Sequence, residues 1–173
     1  MSLKDFAEAL PDYARDIRLN VDVLLRDASL NDQRKYGLLL ACAHGTGYRP
    51  IVEAAEAETK DKLSAEAADA ARGAAALMAM NNVYFRFIHL ASNKEYGRMR
   101  AKLRMNLIGS LGVEKVDFEL FALAVSVMNG CGLCIDSHEK VVRDHGLDAD
   151  TVQIAARIGA VMTAAAQVHA TAV

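Results

Sequence analysis

Glu114-Lys115-Val116-Asp117-Phe118-Glu119-Leu120-Phe121-Ala122-Leu123-Ala124-Val125-Ser126-Val127-Met128-Asn129-Gly130-Cys131-Gly132-Leu133-Cys134-Ile135-Asp136-Ser137-His138-Glu139 contains a helix, a break and the start of a second helix. Phe118, Phe121, Ala122 and Val125 recur at helical spacing. Asn129-Gly130 breaks the pattern, and the helix that Cys131 opens ends at Gly146. Two thiols therefore stand where one helix gives way to the next. A thioredoxin-type pair follows a strand in a βαβ unit, and no strand pattern precedes Cys131. Period-two alternation is sustained nowhere in the chain, which predicts an all-α helical bundle with no β-sheet.

Working outward, Pro11 opens a helix in which Tyr13, Ile17, Val21 and Leu24 share a stripe. Asn31 or Asp32 caps a second helix running through Tyr36 and Leu39 to Gly45, and Pro50 starts a third that ends near Lys60. Ser64 caps a long alanine-rich helix reaching His89, with Met78 and Met80 as core packing. Lys94 to Arg104 is basic and reads as a solvated helix face, and Gly109 and Gly112 mark a loop. Asp148 caps a last helix from Ala149 to about Ala170. Leu63-Ser64-Ala65-Glu66 echoes Leu147-Asp148-Ala149-Asp150, and Leu40-Ala41 recurs as Leu123-Ala124. These echoes suggest one domain over residues 1–173 built from two degenerate repeats, about 11–92 and 113–173, the first without a dithiol.

A chain of 173 residues buries roughly 70% of the surface its unfolded form exposes, enough for a core without staples. Lys+Arg 20 against Asp+Glu 22 gives a net charge of -2, which leaves no electrostatic footprint for nucleic acid. The first residues, Met1 to Glu8, carry acids where a signal peptide needs an apolar core, and no stretch approaches transmembrane length. A cytoplasmic protein that binds neither nucleic acid nor membrane is the expectation. In that compartment a close cysteine pair is catalytic, redox-sensing or metal-binding more often than a static staple.

On a helix, Cys131, Cys134 and His138 fall on one stripe, with the two Cα atoms roughly 5 Å apart, within reach of a disulfide. His138 one turn below Cys134 can raise its thiolate fraction. Glu119 lies on an otherwise apolar helix, where a carboxylate needs a partner. Two partners are open to it: His138, forming a Glu–His–Cys relay, or a surface Lys or Arg at a helix end. Cys131, Cys134, His138 and Asp136 also allow a zinc reading, though structural zinc takes two such pairs. A c-type haem site requires His directly after the second Cys, where Ile135 stands. Cys42 lies in an apolar helix as a buried thiol, and His44, His89, His145 and His169 read as surface or packing residues. Peroxide reduction suits a dithiol between helices: thiolate attack gives a sulfenic acid, and the neighbouring thiol condenses with it.

Over nearly its whole length the chain resembles the alkyl hydroperoxide reductase D (AhpD) family, all-α proteins related to carboxymuconolactone decarboxylases. The stretches that carry the likeness are Leu10 to Ile17, Met80-Asn81-Asn82-Val83-Tyr84-Phe85-Arg86, Leu103 to Ile108, and Phe118-Glu119 through Cys131-x-x-Cys134-x-x-x-His138-Glu139. The resemblance implies a lipoyl-dependent peroxidase with no bound cofactor or metal. Cys134 would be the peroxidatic nucleophile, Cys131 the resolving thiol, and Glu119 and His138 the proton relay. It further implies reduction by dihydrolipoamide on the lipoylated acyltransferase of a 2-oxo acid dehydrogenase complex, transfer of electrons to a partner peroxiredoxin, and a homotrimer. Familiar members often carry His just before the second cysteine, where this chain has Leu133. A redox-sensing or disulfide-relay binding protein with little turnover is the alternative. Lactone decarboxylation would use only the fold, and the thiol pair argues against it.

Overall fold

Short polar side chains set where several of the helices begin. Ser2 and Asp5 form a reciprocal capping box on α1 (Leu3–Glu8). Asn31 accepts from the Arg34 amide at the head of α3 (Asp32–Thr46), Ser64 from Ala67 at α5 (Ala65–Leu90), and Asp148 from Thr151 at α8 (Ala149–Thr171). The remaining α-helices are α2 (Arg15–Arg26), α4 (Arg49–Thr59), α6 (Lys115–Met128) and α7 (Gly132–Asp144). This computed structural model describes residues 1–109 and 112–172, and those residues contain no strand. The all-α expectation holds. The loop expected between Gly109 and Gly112 falls in part on residues 110 and 111, outside the described residues.

The middle of α6 is the centre of the molecule. Every residue from Val116 to Ser126 is buried, and α3, α5, α7 and α8 pack around it. Gly37 of α3 lets the Phe121 ring come in so close that an added Cβ would lie 2.2 Å from Cζ. Asp117 is buried on the same helix and is tied to α3, accepting from Arg34 Nε at 2.6 Å and from Gln33 Nε2. Such a carboxylate is tolerable inside because donors replace its water. The helices follow as two sets of three, α3-α4-α5 and α6-α7-α8. We propose the two-repeat division on that order together with the sequence echoes.

Three readings change. Residues Asp12–Ala14 form a 3-10 turn before α2, and Tyr13 is 75% exposed because Ala14 turns inward instead. Helix α1, which the sequence reading passed over, docks Leu3 and Phe6 into the core from a single capped turn and a half. The basic segment from Lys94 to Arg104 is not a helix face. After α5 it makes one 3-10 turn at Tyr96–Arg98 and then runs without helix to Met105. Here Ala101, Leu103 and Met105 turn partly inward while Arg100, Lys102 and Arg104 stay exposed, and Lys102 takes a left-handed φ of 53°, so the segment cannot continue as a helix. The segment returns antiparallel along α5, with Tyr96 beside Phe87, Met105 beside Asn81 and Leu107 over Gly73.

The turn from α6 into α7 fixes where the thiols stand. Gly130 has φ +63°, its amide donates to the Val127 carbonyl, and the Cys131 amide donates to Ser126. These are the two bonds of a Schellman motif, with glycine in the left-handed position. A Cβ at Gly130 would touch nothing within 4 Å, so Gly130→Ala should cost only the backbone strain, about 1 kcal/mol, in urea unfolding. An unchanged stability would show that the turn does not need glycine. Elsewhere Glu56 joins three helices: it accepts from Arg72 Nη2 at 2.6 Å and Nε at 2.8 Å, and pairs with His44 Nε2 at 2.8 Å. The Arg72 hydrogen bonds, aided by His44, hold its carboxyl at about 2 against an ordinary 4.5. A depressed carboxyl stabilises the fold above its unfolded value and loses that contribution as pH falls toward the folded one. The difference in urea midpoint between wild type and Glu56→Gln should therefore be full near pH 6 and narrow between about pH 4.5 and 2. A constant difference across that window would refute the linkage.

Candidate active site

Glu119 sits in the second turn of α6, with its side chain 9% exposed, and faces α7. Of its two possible partners the structure supplies the imidazole: His138 Nδ1 lies 2.6 Å from Glu119 Oε2. Because a carboxylate can only accept, the proton of this bond belongs to Nδ1, and Nε2 is the ring nitrogen that Glu119 does not engage. His138 is itself mostly buried, so the pair lies in a poorly solvated place where the hydrogen bond is strong.

The two thiols form a disulfide with their Cα atoms 5.3 Å apart, as the one-turn spacing predicts. Cys131 occupies the N-cap of α7 and is fully buried. Cys134 is the third residue of that helix, 6% exposed, and His138 follows one turn below on the same stripe. The first turn of a helix carries unsatisfied amide groups and the positive end of the macrodipole, both favourable to a thiolate.

Cys134 and His138 open on a common cavity of about 290 Å³. Its walls come from three pieces of chain: Asn81 and Phe85 of α5, Met105 of the returning segment, and Leu133 and Ser137 of α7. Leu133, standing where a ring was noted as usual, makes part of the apolar wall.

Helix α5 contributes more to this site than its sequence suggests. Asn82 is buried and donates to Ser126 Oγ at 3.0 Å, while its Oδ1 accepts from Asn129 Nδ2 at 3.0 Å. Arg86, one turn on, donates to the Asn129 carbonyl. The two side chains thus hold the α6–α7 turn from outside. Asn81 turns to the cavity, donates to Met105 Sδ at 3.3 Å, and keeps a buried Oδ1 without a hydrogen-bond partner among the described residues. The available signal was a pair of adjacent asparagines in the middle of an alanine-rich helix, where neither propensity nor an apolar stripe explains them.

Cys42 is a free, fully buried thiol whose desolvation pushes it up to about 12, so it is inert, as expected. The other histidines lie elsewhere: His169 bonds Tyr48 and stacks on Phe6, His145 bonds the Val141 carbonyl, and His89 is exposed. Among the described residues no group of three or more His, Cys, Asp or Glu is disposed to hold a metal ion, the two sulfurs being joined to each other. No helix among them is long and apolar enough to cross a membrane.

The Carboxymuconolactone decarboxylase family model matches residues 94–173, which contain the site's α6 and α7. A protein of Rhizorhabdus wittichii named alkyl hydroperoxide reductase AhpD is 76% identical over 173 residues, covering all of both chains. Proteins of the same name from Hyphomonas neptunium and Azorhizobium caulinodans are 54% and 53% identical over 98% and 96% of this chain, and 94% and 92% of their own. Similarity of that extent runs through the returning segment, the α6–α7 turn and the dithiol together, and it places the chain in the alkyl hydroperoxide reductase AhpD family of the carboxymuconolactone decarboxylase superfamily.

Proposed function

We propose that this protein is a thiol peroxidase that reduces organic hydroperoxides through Cys134. The observation that carries the reading is the buried Glu119–His138 pair, 2.6 Å apart, set one helical turn from Cys134 at a shared cavity. Glu119 holds His138 through Nδ1, and Nε2 takes the Cys134 proton. The thiolate attacks the terminal peroxide oxygen: an S–O bond forms, the O–O bond breaks, and His138 returns its proton to the leaving alkoxide. Cys131 then attacks the sulfenic sulfur, releasing water and forming the disulfide. The relatives' names support the reaction class, and the cysteine spacing supports the resolving step.

Dihydrolipoamide on a lipoylated acyltransferase of a 2-oxo acid dehydrogenase complex is the electron donor we assign. Thiolate exchange through a mixed disulfide restores both thiols and oxidises the lipoyl group. The same dithiol would pass electrons on to a peroxiredoxin. We also assign a homotrimer, and we read Val83, Phe87 and Leu90, an exposed apolar stripe on α5 with Tyr96 beside it, as a face that meets another copy.

Steady-state peroxide consumption with dihydrolipoamide tests the reaction. Wild type should cycle, Cys134→Ser should not react, and Cys131→Ser should consume about one equivalent and stop as a sulfenic acid. His138→Ala and Glu119→Gln should slow peroxide attack at neutral pH, the former by about 100-fold, and move the midpoint of Cys134 alkylation to higher pH. Full activity in Cys134→Ser would overturn the assignment, and oxidation without cycling would leave the sensor reading instead. For the assembly, Phe87→Glu should lower the mass found by light scattering on a sizing column, and an unaltered mass would remove this stripe from the interface.

A further inference from the structure

The cavity beside Cys134 is largely apolar, yet Asn81 places an amide in its wall. Asn81 is 6% exposed, and its Nδ2 donates to Met105 Sδ, a weak acceptor, while Oδ1 is left without a partner among the described residues. Buried polar groups are hydrogen-bonded in the great majority of cases, and an orphaned acceptor on a residue that lines a cavity points to a donor that arrives with a ligand. The cavity's other polar groups have other places. His138 is committed through Nδ1 to Glu119, and Ser137 lies exposed at the mouth. The neighbouring Asn82 faces the α6–α7 turn and is fully engaged there.

We propose that Asn81 Oδ1 accepts the O–H of an organic hydroperoxide bound in this cavity, with Phe85, Met105 and Leu133 against its alkyl or aryl group. The inference rests on the peroxidase reading and deepens it. A hydroperoxide carries one donor, on its terminal oxygen, and that oxygen is the one the sulfur must attack. Holding the O–H on Asn81 fixes the terminal oxygen at Cys134 and turns the alkyl-bearing oxygen toward the proton of His138. In the step itself the Cys134 thiolate forms the S–O bond and the O–O bond breaks. Sulfur is oxidised and the peroxide reduced, and the leaving alkoxide takes the proton that His138 had removed from the thiol. The hydrogen on the transferred oxygen stays there, so Asn81 keeps its bond as that oxygen becomes the sulfenic O–H. Asn81 thereby contacts substrate and intermediate through one interaction.

The test compares two reagents on the reduced full-length protein by rapid mixing: cumene hydroperoxide, which carries the O–H, and methyl methanethiosulfonate, which reaches the same thiolate and has no donor. Asn81→Leu, close in size, should lower the second-order rate constant for the hydroperoxide by about tenfold, with the methanethiosulfonate rate and the pH midpoint of thiolate absorbance at wild-type values. Asn81→Ala, which cannot crowd the walls, should behave likewise and serves if the leucine variant misfolds. Equal hydroperoxide rates in wild type and variants would overturn the inference alone. A parallel fall with both reagents would also overturn it, since it would mark Asn81 as packing or as a determinant of the thiolate. A wild-type thiolate that captures methanethiosulfonate and ignores the hydroperoxide would defeat the peroxidase reading, and this inference with it.

Discussion

The hydrogen bond between Glu119 and His138 is the constraint on which the arrangement of α6 and α7 depends. A carboxylate on the most buried helix of the molecule is unfavourable unless donors replace its solvent, and a single imidazole supplies one at 2.6 Å. The bond does three things together. It ties α7 to α6 across the turn, it orients the ring through Nδ1, and it leaves Nε2 for the proton transfer proposed above. Removing the acid would leave the ring without orientation, and removing the ring would leave a buried charge without a partner, which is the costlier of the two.

A hydrogen bond of this kind is useful only if the helices meet at a fixed register, and the turn between them supplies that. The Schellman bonds at Val127, Gly130 and Cys131 set the entry of α7 from inside, while Asn82 and Arg86 of α5 hold Asn129 from outside. Asparagine in the middle of a helix is unfavourable by propensity, and burying it adds a requirement for partners. Asn82 meets that requirement with Ser126 and Asn129. Asn81 does not, and an orphaned buried acceptor costs about 1–3 kcal/mol. Two neighbouring residues of one type thus separate into a structural role and an unsatisfied one, a separation that energetic accounting alone would not favour and that a ligand would explain.

Much of this was legible in the sequence because it depends on local spacing. The caps at Asn31, Ser64 and Asp148, the dithiol stripe and the break at Asn129-Gly130 follow from periods of three and four residues and from turn chemistry, which operate within one element. What was not legible depends on contacts between distant parts of the chain. Whether Glu119 met an imidazole or a surface cation was undecidable until α7 was laid against α6. The roles of Asn81, Asn82 and Arg86 require knowing which side of a 26-residue helix faces the turn. The basic segment has a related cause: its charges suggest a helix face, whereas its path follows from Tyr96, Met105 and Leu107 meeting α5.

Burial also separates the two sulfurs by access. Cys131 has no exposed surface, while Cys134 borders the cavity, so a small oxidant from solvent meets Cys134 first. Under the proposed reaction the second sulfur then needs no path of its own, because the helical turn already holds its Cα 5.3 Å from that of Cys134. Reduction inverts the problem. Under the same proposal a dithiol reductant must reach one sulfur of the disulfide, and the accessible one is again Cys134, with Cys131 as the leaving thiolate. On that reading oxidant and reductant both approach the cavity that Cys134 borders. Redox state sets the order of the two half-reactions, since one needs the thiols and the other the disulfide, and the apolar wall of Phe85, Met105 and Leu133 would bear on both.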